Sequence, residues 1–270
     1  PTAECVPRLE AAARRALEVG GERGETHASL GFAVLYGGLG WDWERGEREL
    51  QRAVELSPSY ANAHAWRAQI LSILGRHDEA LAEARRAAEL DPLNPFLAVN
   101  VASRLYYARR HEEGLMLADR LTRETPDYWL CHWIRGLMLS ATGRHDAAVA
   151  TLARAVELHN GSLECLPDLG AALGRAGRRR EADDVLARLA AESRSRYVPP
   201  YSFALVQAGL GNRERALSGR ERAWTERDWR LAWIAPEPSF DSLRGEPRFQ
   251  ALLARLGLAT PPARRAAIRR

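Results

Sequence analysis

Histidine is the side chain best suited to bind a metal or transfer a proton at neutral pH, and this sequence contains seven of them. Six recur at two matching positions along the chain: His77, His111 and His145 at one, and His27, His64 and His132 at the other. If the recurrence reflects packed helical repeats, equivalent side chains lie about 10 Å apart, whereas a shared metal needs ligand atoms at about 2 Å. We therefore interpret these histidines as packing or turn residues, and we predict neither a metal site nor a cofactor.

Other residue combinations that support catalysis are equally sparse. The carboxylate pairs Glu112-Glu113 and Asp183-Asp184 are adjacent in sequence, so their side chains point in different directions on a helix. The sequence has no GxSxG or GxGxxG motif and no alternation typical of a strand. All 39 basic residues are arginines, which excludes a phosphate-binding or Schiff-base lysine. We predict that the chain is not an enzyme.

The composition argues against nucleic-acid and membrane partners. A net charge of +4, from 39 basic and 35 acidic residues, indicates a mixed, solvated surface. The dense basic runs at 178–180 and 264–270 lack the interleaved aromatic side chains that stack on bases. There is no apolar run of about 18 residues and no signal segment, and the three cysteines lack metal or disulfide spacing. We expect a soluble cytoplasmic protein that binds neither nucleic acid nor a membrane.

A spacing of 34 residues organises almost the whole chain. One series of small residues repeats at this interval without a break: Gly46, Ala80, Gly114, Ala148, Ala182 and Ala216. A second series follows seven residues later: Ala53, Ala87, Leu121, Ala155, Leu189 and Ala223. Because small side chains let two helix backbones approach closely, we predict that these positions mark helix crossings in an internal repeat.

Within one period, residues 61–94, the pattern predicts two helices. The apolar stripe of the first helix stops at Gly75, since glycine adopts the left-handed conformation that ends a helix. Asp78 offers a side-chain acceptor at the start of the second helix, and Pro92 ends it. A helix pair of this size cannot bury its apolar stripe alone, so it must stack on the next pair, and the ends of such an array are its weakest part.

The spacing and the residues resemble the tetratricopeptide repeat, a helix-turn-helix unit of 34 residues. The clearest copy runs from His64 to Pro92, and residues 136–158 are nearly as close, whereas Arg220 stands where an apolar residue is usual. The resemblance implies an all-α fold, a right-handed α-solenoid of stacked helix pairs forming one domain over residues 1–258. The predicted units are a lone second helix at 6–20, repeats at about 24–58, 60–94, 95–128, 129–162, 163–195 and 197–230, a closing helix at 246–258, and a disordered tail at 259–270.

Three segments near the C-terminal end are similar to the C-terminal repeat arrays of bacterial multidomain regulators. They comprise residues 196–201, 226–229 and 249–253. In those regulators the array follows a DNA-binding, adenylate cyclase or protein kinase domain, and this sequence contains none of these. Because the chain begins with Pro1 rather than methionine, we expect it to be part of a larger regulatory protein.

The resemblance also implies a concave groove lined by the first helix of each pair. The register selects these groove candidates: Phe32, Tyr36, Gln69, Asn100, Ser103, Tyr106, Tyr107, Trp133, Leu137, Tyr201 and Leu205. Tyr106, Tyr107 and Trp133 come from adjacent repeats and would form an aromatic groove suited to an extended or helical peptide. The alternative interpretation is that these side chains pack against their neighbours inside the superhelix.

Chaperone C-terminal tails are not the expected ligand. Repeats of this family that bind such tails use a clamp of lysine, asparagine and arginine at defined positions of the first helices. This chain has Ala65, Gln69 and Ile134 at three of those positions, and only Asn100 fits. Since the chain contains no lysine, it cannot form the standard carboxylate clamp.

The sequence therefore predicts a protein–protein interaction module, a sensory or scaffolding array that binds a peptide or a partner domain in its groove. Three alternatives remain. The array could self-associate as a structural scaffold, which a light-scattering concentration series tests. It could act as a regulatory arm of an attached DNA-binding, cyclase or kinase domain, which the sequence upstream of Pro1 decides. An enzyme built on the repeats would instead require a cluster of buried polar residues in the groove.

Overall fold

The computed structural model describes residues 21–36 and 40–259, together with residues 8, 11–12 and 15–19 ahead of them. Within that part of the chain, helices alternate with turns and no β-strand occurs. From Gly24 onward the helices form six pairs, and two 3-10 helices and a last α-helix follow them. The pairs are α1 Gly24–Leu35 and α2 Trp43–Leu56; α3 Ala61–Ile73 and α4 His77–Leu90; α5 Pro95–Tyr107 and α6 His111–Glu124; α7 Trp129–Ala141 and α8 His145–Leu158; α9 Leu166–Arg175 and α10 Arg179–Glu192; and α11 Pro200–Gly209 and α12 Arg213–Thr225. The two 3-10 helices are Trp229–Trp233 and Pro238–Leu243, and the last α-helix is α13 Pro247–Arg255. The predicted all-α solenoid of stacked helix pairs is confirmed.

Two predicted segments fall wholly or partly outside the described residues. Of the lone helix expected at 6–20, the structure describes residues 8, 11–12 and 15–19, all helical. The tail expected at 259–270 lies outside the described residues beyond Ala259. None of the described helices combines the length and the apolar character needed to cross a bilayer.

The 34-residue spacing arises from the turn inside each helix pair. Gly75 has φ of 77°, and the Arg76 N–H donates to the Leu71 carbonyl at 2.8 Å, which closes the end of the first helix. Arg109 adopts the same left-handed conformation, with φ of 64°, at a cost of about 1 kcal/mol for a residue with a Cβ. The same closing hydrogen bond recurs in the five pairs from α3–α4 onward, and the second helices of all six pairs begin 34 residues apart, at residues 43, 77, 111, 145, 179 and 213.

The series of small residues lies where helices touch. A Cβ added at Gly46 would lie 2.6 Å from the Cδ1 of Ile70, and one added at Gly114 would lie 2.8 Å from the Sδ of Met138. Both separations are shorter than a normal carbon contact of about 3.5 Å. The equivalent alanines of the other repeats are fully buried. The periodic small residues therefore mark the positions where neighbouring helices pack most closely.

Residues 226–258, which we call the C-terminal segment, return to the repeats rather than extending the array. The sequence assigned no structure to residues 231–245, which contain most of the two 3-10 helices. The Trp43 Nε1–H donates to the Leu256 carbonyl at 2.6 Å, although 213 residues separate the two. The rings of Tyr36 and Trp229 lie 5.0 Å apart. The last helix and the first helix pair are thus in direct contact.

Arg220, which replaces the usual apolar residue of the last repeat, is fully buried. Its guanidinium carbon lies 3.4 Å from the ring centroid of Phe240 and 4.8 Å from that of Phe249. None of its three guanidinium nitrogens has a hydrogen-bond partner among the described residues, and burial lowers the pKa of Arg220 to about 9. Two aromatic rings of the C-terminal segment therefore stabilise this cation through their π faces.

Candidate binding cavity

The C-terminal segment covers much of the concave face that the sequence predicts to be an open groove. Tyr106 and Tyr107 keep only 2% and 8% of their surface exposed. Trp233 stacks on Tyr107, with ring centroids 5.0 Å apart and planes inclined by 17°. The Tyr106 hydroxyl donates to Glu237 at 2.7 Å. The groove differs from the expectation because aromatic side chains of the same chain already occupy part of it.

What remains of the groove is a cavity of about 400 Å³ between the repeats and the C-terminal segment. Most groove candidates chosen by register line this cavity: Tyr36, Gln69, Asn100, Ser103, Tyr107, Trp133, Tyr201 and Leu205. Among them, Trp133 and Tyr36 are only half-buried. The sequence register thus places most of the candidates on one surface.

The other three candidates lie elsewhere. Tyr106 and Leu137 line a smaller cavity of about 170 Å³. Phe32 packs in an aromatic cluster, with its ring centroid 4.4 Å from that of Tyr36 and 4.8 Å from that of Trp66. The structure therefore does not bring these three side chains to the larger cavity.

Sequence reasoning missed about half of the cavity wall. The cavity is also lined by residues that were not nominated: Phe96, Val99, Arg104, Trp129, Leu130, Glu164, Asp168, Trp229, Arg230, Trp233 and Glu237. A signal for Arg104 was available, because it follows the nominated Asn100 by four residues and shares its helix face. The two tryptophans of the C-terminal segment gave no such signal, because Trp229 lies after the second helix of the last predicted repeat and Trp233 lies beyond that repeat.

Arg104 is a charged side chain without a charged partner. Only 3% of its surface is exposed, and its Nε and Nη1 are buried with no hydrogen-bond partner in the described part of the chain. No carboxylate of a described residue lies within ion-pair distance of its guanidinium. Its guanidinium carbon lies 5.3 Å from the ring centroid of Tyr107 and 5.1 Å from that of Trp233. Burial lowers the pKa of Arg104 to about 10, so the group is still protonated at pH 7.

Asn100 adds a second unsatisfied polar group to the same wall. It is buried one helical turn before Arg104, and its Oδ1 has no hydrogen-bond partner among the described residues. An unpaired buried amide oxygen costs about 1–3 kcal/mol. The cavity therefore contains polar atoms whose hydrogen-bonding capacity is unused.

Asp168 is a half-buried carboxyl that also lines the cavity. Burial raises its pKa to about 6 from the usual 3.8, and the nearby Glu237 acts in the same direction. The Trp133 Nε1–H donates to Asp168 at 2.9 Å, which opposes part of this shift. Asp168 thus changes its charge close to neutral pH and holds Trp133 in place.

Asp168→Asn should raise the free energy of unfolding at pH 7 by up to about 3 kcal/mol. The carboxyl binds its proton more tightly in the folded protein, so its ionised form destabilises the fold. This penalty is absent below about pH 4, grows between pH 4 and 6, and is complete above pH 6. Urea unfolding of both proteins at pH 4 and pH 7 measures it, with exposed Asp127→Asn as the control expected to change stability by less than about 0.5 kcal/mol. An equal difference at both pH values would contradict the prediction.

Two of the recurring histidines pair with glutamates. The Nδ1 of His27 lies 2.7 Å from Glu49, and the Nδ1 of His64 lies 2.6 Å from Glu83. The other set comprises the first residues of three second helices: His77, His111 and His145. Within the described ranges, no group of three or more histidine, cysteine or carboxylate side chains is arranged to hold a metal ion.

Two stretches of the chain match a known family model. Residues 41–95 and 102–162 match the family model described as tetratricopeptide repeat. A search of curated proteins finds no match.

Several solved structures share the fold. The Cut9–Hcn1 hetero-tetramer of APC/C has a TM-score of 0.59 at 13% identity, over 93% of this chain and 46% of that one. PilW, a type IV pilus biogenesis factor, has a TM-score of 0.55 at 17% identity, over 85% of this chain and 98% of its own. PilF of Pseudomonas aeruginosa has a TM-score of 0.51 at 20% identity, over 86% and 96%. At these identities the likeness concerns the fold.

Proposed function

We propose, on the premise that this chain is a tetratricopeptide-repeat protein, that it is a non-catalytic interaction scaffold whose cavity binds a short segment of a partner protein. Repeats of this type generally form interaction modules. The observation that carries the proposal is the cavity of about 400 Å³ on the concave face, where half-buried aromatic side chains meet unsatisfied polar groups. Concave, largely apolar sites with a few polar groups are the usual geometry of specific binding.

The geometry favours a short segment over a long helix or strand. The C-terminal segment lies along the concave face, where Trp233 stacks on Tyr107 and Trp229 packs against Tyr36, so a long peptide cannot follow the groove. At one edge of the cavity Phe96 is 37% exposed, and Trp129 and Leu130 are half-buried. A few residues of a partner fit such an opening, and their burial against tryptophan would provide most of the affinity.

The test uses peptides selected from a random-sequence library on the wild-type protein. Trp133→Ala should weaken their binding by about 10-fold or more, because it removes one of the half-buried tryptophan rings of the cavity. Arg86→Ala changes a side chain on a second helix that is exposed and lies outside the cavity, and should leave the dissociation constant unchanged. Isothermal titration calorimetry measures both, after circular dichroism has shown that each variant is folded. If Trp133→Ala binds normally and Arg86→Ala abolishes binding, the cavity is not the binding site.

A further inference from the structure

Arg104 and Arg220 are both buried arginines, but their surroundings differ. Arg220 is enclosed between Phe240 and Phe249, lines neither the large nor the small cavity, and is accounted for by those two rings. Arg104 lines the large cavity, and its guanidinium lies more than 5 Å from the ring centroids of Tyr107 and Trp233. A buried charge without a partner costs several kcal/mol. Arg104 is therefore a buried cation that lacks a charged partner, and a bound anion would supply that partner.

From this geometry we infer that the cavity binds one organic carboxylate on an apolar body, with Arg104 pairing the anionic group. A guanidinium binds a carboxylate through charge-assisted hydrogen bonds, and neither the Nε nor the Nη1 of Arg104 has a hydrogen-bond partner among the described residues. The inference rests on the proposed function, since it specifies the anchoring group of the segment that the cavity holds.

The remaining charges of the cavity limit the ligand to a single negative charge. Two arginines, Arg104 and Arg230, line it together with three carboxylates. The carboxylates are Glu237, Glu164 and Asp168; they outnumber the arginines and would repel a phosphate ester or a dicarboxylate. Glu237 already accepts hydrogen bonds from the Tyr106 hydroxyl and from the Ser239 N–H at 2.9 Å. These carboxylates do not neutralise Arg104, because none of them lies within 4 Å of it.

The aromatic wall specifies the rest of the ligand. Tyr107 and Trp233 flank Arg104, and Trp133 lies further along the same cavity. Such rings favour an aromatic or aliphatic body next to the carboxylate. The arrangement differs from the carboxylate clamp, because the clamp's arginine position holds Ile134 and because Trp233 comes from outside the repeats.

The experiment compares acids with their amides. The probes are 3-phenylpropionate, its amide, and a pentapeptide ending in phenylalanine with either a free or an amidated C-terminus, titrated calorimetrically into the wild-type protein at pH 7.5. We expect each acid to bind about 30-fold more tightly than its amide, or better, because the amide leaves Arg104 unpaired. Acid and amide affinities within threefold of each other would overturn the inference, and this comparison needs no variant.

Two variants localise the effect. Arg104→Gln should weaken acid binding by about 30-fold or more and remove the preference over the amide, whereas Arg220→Met, the equally buried arginine outside the cavity, should leave both unchanged. If Arg104→Gln keeps the acid preference, the inference is wrong. If 3-phenylpropionate binds through Arg104 but neither peptide binds, the anion site is supported and the proposed binding of a partner segment is contradicted. If both peptide forms bind equally and lose affinity in Trp133→Ala, the proposed function stands and the anion site fails.

Discussion

Phe240→Ala is expected to lower the free energy of unfolding by about 3–5 kcal/mol, the usual cost of emptying a buried phenylalanine site. Phe240 is fully buried in the second 3-10 helix, with its ring centroid 5.3 Å from that of Tyr201. Its ring also covers the guanidinium of Arg220, so the substitution leaves a buried cation with one aromatic partner instead of two. Urea unfolding followed by circular dichroism measures the loss.

The control for this variant is Phe96→Ala, because Phe96 is 37% exposed and should cost less than about 1 kcal/mol. Tryptophan fluorescence adds a second readout, since Trp233 and Trp229 belong to the same segment as Phe240. If the two variants lose equal stability, the C-terminal segment does not contribute to the core as its burial indicates.

Gly209→Val is expected to destabilise the protein by about 3 kcal/mol, at the upper end of the range for overpacking. A Cβ at Gly209 would lie 2.5 Å from the Cα of Ala171 and 2.8 Å from its carbonyl carbon. These are backbone atoms and cannot rotate away as a side chain can. The α9 and α11 backbones therefore have to separate, and the packing of the last two helix pairs is lost.

Gly245→Ala is the matched control for this second variant. A Cβ at Gly245 would meet no atom within 4 Å, and its φ is not in the left-handed region. The substitution should be neutral or slightly stabilising, because alanine restricts the unfolded chain more than glycine does. Thermal unfolding of both variants gives the comparison, and a neutral Gly209→Val would show that the two helices are further apart than the structure indicates.

The repeats could be predicted from the sequence because their determinants are local. Small residues such as Ala80 and Gly114 recur where helices cross, and Gly75 lies in the turn that sets the period. The same register places Tyr107 and Trp133 on the concave face, since residues on a helix face follow from spacing alone.

The covering of that face could not be predicted, because its contacts join residues far apart in the chain. Glu237 is 131 residues from Tyr106, and no periodic pattern connects them. The burial of Arg104 has the same origin. An arginine on a helix normally reaches water, and Arg104 does not, because Trp233 lies over it.

The contact between Trp43 and Leu256 affects how the ends of the array unfold. An open row of repeats behaves as a linear chain of coupled units in which each end has one neighbour and can melt by itself. Here residues next to the last described helix contact the first described pair, and an open row lacks such a contact. Local melting of the first described pair or of the last helix must therefore also break the hydrogen bond between Trp43 and Leu256.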